Sequence, residues 1–308
     1  MSPLKMGNLF KKVGEFVLSN PINAAGSVIL CIALPEFIPF FWPLYILSNA
    51  IIALVVLRHG IKIGIEVLFI SNIALAVYGF MQTQSIIYGA LYSLPMIAVF
   101  IYATALHKTI SLPLGLIFGS IFGATCLLIA HIVVPNIDGH WLNFLNEYIQ
   151  PLFLQLGFDN ARLEKVLPIA AEIMTGSYIA AILIWTTITL LVARWWQALL
   201  YKPKGFKKEF YDLRLGYASS IIYLLILAAS LLTKEPLLKE LSLIFGVMFI
   251  FQGLALAHNV LSRSIIAKMW LGLMYFFLLI STAIVVVFLV VTALVDNFID
   301  IRNRLKTT

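Results

Sequence analysis

The chain has 308 residues, 62% of them apolar and only 11% charged, and its mean hydropathy is +1.01. A soluble domain of this size carries about a quarter charged residues, so a soluble catalytic domain is excluded. The net charge of +7 resides in short Lys/Arg clusters between apolar runs, without a basic stripe interleaved with aromatics. That placement suits topology determinants and argues against nucleic acid as a partner.

Residues 1–20 read as an amphipathic helix in the headgroup plane, with Leu9, Phe10, Val13, Phe16 and Val17 on one side and Lys11, Lys12 and Glu15 on the other. Pro21 breaks the chain, and apolar runs follow at 22–40, 42–58, 60–80, 85–106 and 111–134. After a polar interval come 169–193, 215–232, 237–260 and 268–295. A span needs about 20 mostly apolar residues, because lipid offers no partner for an unpaired backbone amide. The expected fold is an all-α, polytopic integral membrane helical bundle of about nine transmembrane helices (eight to ten). It comprises a six-helix membrane region over 21–198 and a basic cytoplasmic loop over 199–214. Residues 215–308 follow, with about three helices and a short polar tail.

Basic residues orient the spans. Lys5, Lys11 and Lys12 place the N-terminus in the cytoplasm. Alternation puts Arg58, Lys62, Lys108, the 194–214 loop, Arg263 and Lys268 on the same side. The opposite side holds Arg162, Lys165, Lys234 and Lys239. Nine spans would leave the C-terminus outside, in conflict with Arg302, Arg304 and Lys306. Either one candidate does not fully cross, or the long run 268–295 is a bent pair of shorter helices.

The outer connection 135–168 carries a helical apolar stripe of Trp141, Phe144, Leu145, Tyr148 and Ile149, and Asp159 is placed to cap a second short helix. It reads as a lid over an outward cavity or as an amphipathic linker lying on lipid. On the fifth span, Gly115, Gly119 and Gly123 form two overlapping G-x-x-x-G steps, a helix-packing face.

Phosphate-loop, H-E-x-x-H, C-x-x-C and G-x-S-x-G motifs do not occur, and the five histidines lack metal-ligand spacing. Cys31 and Cys126 lie in apolar runs and read as small core residues. Enzyme activity, a metal and a cofactor are therefore not expected. Intramembrane polar groups carry the functional default. Gln252, His258 and Asn259 in the eighth span form a candidate solute-lining or gating face, or else bond between helices. Glu66 pairs locally with Lys62 at i−4 or belongs to the same candidate set. Glu172 and His131 each lie about one turn inside the outer surface and could pair with each other.

The 194–214 loop is the most distinctive polar feature. Trp195 and Trp196 beside Arg194 suit a headgroup anchor, and Lys204, Lys207, Lys208 and Arg214 attract anionic lipid. Phe206, Phe210 and Tyr211 mix apolar groups into that charge, which suits docking of a cytoplasmic protein.

Several stretches resemble the YybS-like family of uncharacterised bacterial membrane proteins. They are Leu57-Arg58-His59-Gly60, the run from Arg194-Trp195-Trp196 through Gly205-Phe206 to Leu213-Arg214-Leu215, Phe251-Gln252-Gly253-Leu254-Ala255, and the tail from Leu294 to Arg302. The resemblance spans nearly the whole chain and implies a multi-pass protein of the bacterial inner membrane. The first six spans are also loosely similar to the substrate-binding membrane subunits of energy-coupling-factor transporters. Those subunits dock through an Ala-x-x-x-Ala pattern in the first span, from which this chain departs: Val28 and Ile29 follow Ala24 and Ala25 at that spacing. The expected function is transport-related binding of a small solute without an ATPase of its own. The alternative is a membrane scaffold or regulator that recruits a cytoplasmic protein or anionic lipid through the 194–214 loop.

Overall fold

A computed structural model describes residues 3–83, 86–202, 205–233, 235–262 and 266–304, apart from the side chains of 3–6, 82, 83, 86–92 and 267. All regular structure among these residues is helical. The chain forms two compact units, Met1–Gly119 with Ile184–Leu213, and Ser120–Leu183 with Arg214–Thr308.

The first unit contains α1 (Pro3–Ser19), α2 (Pro21–Phe37), α3 (Leu44–His59), α4 (Ile61–Thr83) and α5 (Ile86–Thr109), with α11 (Gly205–Tyr211) near its end. Two long helices, α6 (Leu112–Val133) and α10 (Met174–Tyr201), contribute residues to both units. Asn20 starts α2 by accepting the Asn23 N–H at 2.7 Å, with Pro21 preset for the first helical position. Helix α3 is apolar on every face and buried from Ser48 to Leu57, as expected for a helix surrounded by others; α2, α4 and α5 pack around it. Gly60 (φ 85°) ends it in a backbone region that side chains disfavour, which lets α4 begin at once. On α4, Phe69, Ile73 and Val77 are exposed, the lipid-facing pattern of a membrane helix.

Lipid chains are as apolar as leucine, so close packing and hydrogen bonds must hold these helices together. Gly119 shows the packing: a Cβ there would fall 1.7 Å from Tyr102 Cε2, so α6 meets the buried ring of α5 through bare backbone. Trp196 shows the bonding. It is fully buried and donates its indole N–H to the Phe10 carbonyl at 2.8 Å, while the Phe10 ring packs edge-on against Trp195 and Trp196. Helix α1 is thereby fixed to α10, with Phe10, Val13 and Val17 inward and Leu9 and Phe16 exposed.

The second unit contains α7 (Ile137–Phe144), a π-helical turn Leu145–Ile149, α8 (Gln150–Gln155), α9 (Asn160–Ala171), α12 (Tyr217–Thr233), α13 (Pro236–Leu261), α14 (Ala267–Ile280), α15 (Thr282–Ile299) and α16 (Ile301–Arg304). The outer connection is folded. Leu145, Leu163, Leu167 and Ala171 form a small core joined by Trp141 and Ile149, and Asp159 caps α9 by accepting the Arg162 N–H at 3.1 Å. Phe144 and Tyr148 of the same stripe face outward and contact each other.

Six helices among the described residues are long and apolar enough to cross a membrane: Pro39–His59, Ile61–Met81, Leu112–Val133, Met174–Tyr201, Pro236–Leu261 and Thr282–Ile299. A count of about nine is not confirmed. The apolar helices Pro21–Phe37 and Tyr217–Thr233 have 17 residues each, about 26 Å at 1.5 Å per residue, against a hydrocarbon core of about 30 Å. The run 268–295 divides at Ser281, whose φ of −129° and ψ of 55° interrupt the helix. Trp270 in the first turn of α14 and Ile301 beyond α15 line one cleft with Val260 and Leu261. Helix α15 therefore returns to the end of α13 from which α14 departs. There Arg214 Nη1 lies 3.2 Å from Asp300 Oδ1, so the C-terminal segment stands beside the start of α12.

Candidate functional site

The 194–214 segment builds a cavity of about 640 Å³ at one end of the first unit. Its walls include Arg58 from the last turn of α3, Arg194, Gln197 and Tyr201 from the last turns of α10, Lys202 after it, and Phe206, Lys208, Glu209 and Asp212 from α11 and its exit. The walls are tied together. Gln197 Nε2 donates to the Leu57 carbonyl at 3.1 Å, joining α10 to the end of α3. Arg194 Nε reaches both Glu209 oxygens at 3.1 and 2.9 Å, joining α10 to α11, and Arg194 Nη1 also donates to Gln197 Oε1. The Arg58 guanidinium carbon lies over the Tyr201 ring, 4.2 Å from its centroid, a cation–π contact.

Charge decides what such a cavity attracts. Glu209 is matched by Arg194, which leaves Arg58, Lys202 and Lys208 facing the single carboxylate of Asp212. The excess is positive, and guanidinium and ammonium groups around an apolar ring suit a phosphate-bearing group next to an apolar one. The volume falls in the range of about 300–1,000 Å³ common for ligand pockets.

The remaining docking candidates have separate places. Phe206 and Phe210 stack at 5.9 Å on α11, and Lys207 lies over Tyr211 at 5.3 Å. Trp195 is partly exposed, whereas Trp196 is wholly enclosed against α1 and presents no surface to a partner. Arg214 belongs to the second unit, where it bonds to Asp300 and to the Asp296 carbonyl. Lys204 lies outside the described residues.

The intramembrane candidates fall into distinct groups. Gln252 is fully buried with its amide engaged: Oε1 accepts the Leu215 N–H at 2.9 Å, and Nε2 donates to the Ala293 carbonyl and to Asn297 Oδ1, each at 2.9 Å. Asn297 in turn donates to Ser220 Oγ at 2.7 Å, so this cluster locks α12, α13 and α15 together. His258 bonds the Tyr275 hydroxyl at 2.8 Å, and the Asn259 carbonyl accepts from Ser262. Glu66 and Lys62 are both exposed on α4 and form no ion pair with each other. His131 and Glu172 take different partners, both from near the start of α13. Glu240 binds His131 at 2.7 Å, and Lys239 reaches Glu172 at 3.1 Å.

The glycine stripe packs within the chain: Gly115 faces Leu106, Gly119 faces Tyr102, and Gly123 meets Leu183, Ile179 and Ile244. Ala24, Ala25 and Val28 are buried in the core of the first unit. Among the described residues, no group of three His, Cys, Asp or Glu side chains is placed to hold a metal.

Sequence reasoning missed Tyr201, Gln197 and Glu209 as cavity walls, and it gave Arg58 no part in a site. The available signal was that Arg58 and Arg194 end two apolar runs on the same side, so both cations gather at one bundle end. Glu240 and the pairing of Asp296 with Arg302 were missed because each group sits at the polar edge of a run. Comparison with protein families, curated proteins and solved structures gives no match for the chain.

Proposed function

We propose that the protein is a non-enzymatic, multi-pass protein of the bacterial inner membrane whose 194–214 segment engages anionic lipid of the cytoplasmic leaflet. The observation that carries this reading is the cavity where Arg58, Lys202 and Lys208 stand in positive excess beside Tyr201 and Phe206. Juxtamembrane cations attract an anionic leaflet by about 1 kcal/mol each, and the aromatic groups suit the headgroup boundary. The resemblance to the YybS-like family supports the same membrane. In this topology the N-terminus is cytoplasmic, and the α14–α15 pair enters and leaves on one side, which gives an even number of crossings. The contact of Arg214 with Asp300 supports that parity, since it brings Arg302 and Arg304 to the basic side.

The test is the lipid that stays bound to the protein when it is purified from bilayers of phosphatidylcholine with and without anionic lipid. Charge reversal at Lys202 and Lys208 together is expected to lower affinity for anionic lipid roughly tenfold or more. Unchanged affinity would sink the reading. Binding of a small anionic solute is the second reading, favoured by the cavity volume; saturable binding of soluble phosphoesters with no dependence on lipid would select it.

A further inference from the structure

The sign of the cavity has an exception that bears on which headgroup it takes. Asp212 stands in the wall among Lys202, Lys208 and Phe206, exposed, and no hydrogen bond or ion pair engages its carboxylate among the described residues. Glu209 differs, because both of its oxygens are occupied by Arg194. The site thus presents cations for a phosphate and one free acceptor for a donor. A bare phosphomonoester satisfies the cations and meets only repulsion at Asp212. A phosphodiester that continues into a hydroxyl-bearing group satisfies both, since a hydroxyl donates to the carboxylate while Arg58 and the lysines hold the phosphate.

We infer that the cavity formed by Arg58, Tyr201, Lys202, Lys208 and Asp212 selects a lipid whose phosphodiester carries a polyol headgroup, with Asp212 as the selecting residue. This inference rests on the anionic-lipid reading. The occupant is membrane lipid and not a free phosphoester, because Phe206 and Tyr201 offer apolar surface beside the cations at a bundle end. Asp212 acts as an acceptor here, and its loss removes discrimination without removing attraction.

The experiment compares the lipid retained by full-length protein purified from phosphatidylcholine bilayers that contain equal mole fractions of phosphatidylglycerol and phosphatidic acid. The wild type is expected to prefer phosphatidylglycerol by roughly tenfold, the worth of a hydrogen bond to a charged acceptor. Asp212→Asn is expected to bring retention of phosphatidylglycerol down to that of phosphatidic acid. Its side chain is exposed and isosteric, and a monodisperse elution profile confirms that the variant folds. Anionic binding without preference, or a preference that persists in Asp212→Asn, overturns the selection while sparing the broader reading. Loss of all anionic dependence in the wild type overturns both. Equally strong binding of soluble glycerol 3-phosphate overturns the assignment to lipid.

Discussion

Glu240 Oε2 lies 2.7 Å from His131 Nε2, and its Oε1 accepts the Gly176 N–H at 2.7 Å, so one fully buried carboxylate joins α6, α10 and α13 within the second unit. Gly176 makes the approach possible, since a Cβ there would fall 2.4 Å from the Glu240 Cβ. The carboxylate meets the first turn of α10, where unpaired N–H groups favour negative charge.

Replacing Glu240 separates its bonding role from its size. Glu240→Gln keeps an acceptor for Gly176 and a polar partner for His131, and is expected to cost under about 1 kcal/mol. Glu240→Leu leaves a buried N–H and the imidazole without a partner, and is expected to cost about 2–3 kcal/mol. Equilibrium unfolding in detergent measures the difference; equal stability of the two variants would show that the bond contributes nothing.

The glycine face of α6 makes a prediction about fit. Gly119→Ala forces a methyl into the Tyr102 ring and is expected to cost about 1–3 kcal/mol. Tyr102→Ala vacates that space, so the double variant should be more stable than the two single losses summed, a coupling of about 1 kcal/mol or more. Gly26 provides the control, with nothing within 4 Å of its Cβ position. Gly26→Ala is expected to be neutral or to gain up to about 1 kcal/mol through helix propensity.

These two cases show where sequence alone suffices. The helices were legible as apolar runs of membrane length, and the Gly115, Gly119 and Gly123 spacing marked a packing face. The spacing could not name Tyr102, because α5 shows no pattern that points to α6. His131 and Glu172 were read as partners because one connection joins their helices. The structure places Lys239 and Glu240 between them, contributed by a helix more than sixty residues away in sequence. The division at Ser281 has no local signal, for residues 273–295 contain neither Pro nor Gly. It follows from the return of α15 to α13, where Gly253 admits the Leu289 carbonyl to 2.3 Å from its Cβ position. The basic cavity was half legible: the 194–214 cations stood out, while Arg58 and Tyr201 join it only through folding.

Gln252 and Asn297 form the polar lock of the second unit. Gln252→Leu strands the Leu215 N–H and one side of Asn297 in a buried site, and is expected to cost about 2–3 kcal/mol. Asn297→Ala removes only one arm and should cost less. Amide hydrogen exchange at Leu215 and Gly216 reports the effect locally, because the Leu215 N–H donates directly to Gln252 Oε1. Exchange at Leu215 unaltered in Gln252→Leu would contradict the assignment of that bond.

Asp300 ties the C-terminal segment to α12 and makes it sensitive to acid. Its carboxyl is held below the ordinary value, first by the hydrogen bond from Asn303, which together with the Arg214 guanidinium outweighs the opposing effect of desolvation. A carboxyl lowered in the folded state contributes stability that is complete above its unfolded pKa of about 4 and is lost as pH falls through the lowered folded value. The segment 296–304 is therefore expected to loosen only at acid pH, well below neutrality. Hydrogen exchange of this segment, compared at each pH between wild type and Asp300→Asn, isolates the effect because intrinsic rates cancel. The wild type should be protected near neutral pH and converge on the variant as acid is added, while the variant, which never carries the charge, stays uniformly less protected. Parallel profiles across the whole range would place the acid sensitivity elsewhere, with buried Asp296 and its partner Arg302 at 3.0 Å as the next pair to vary.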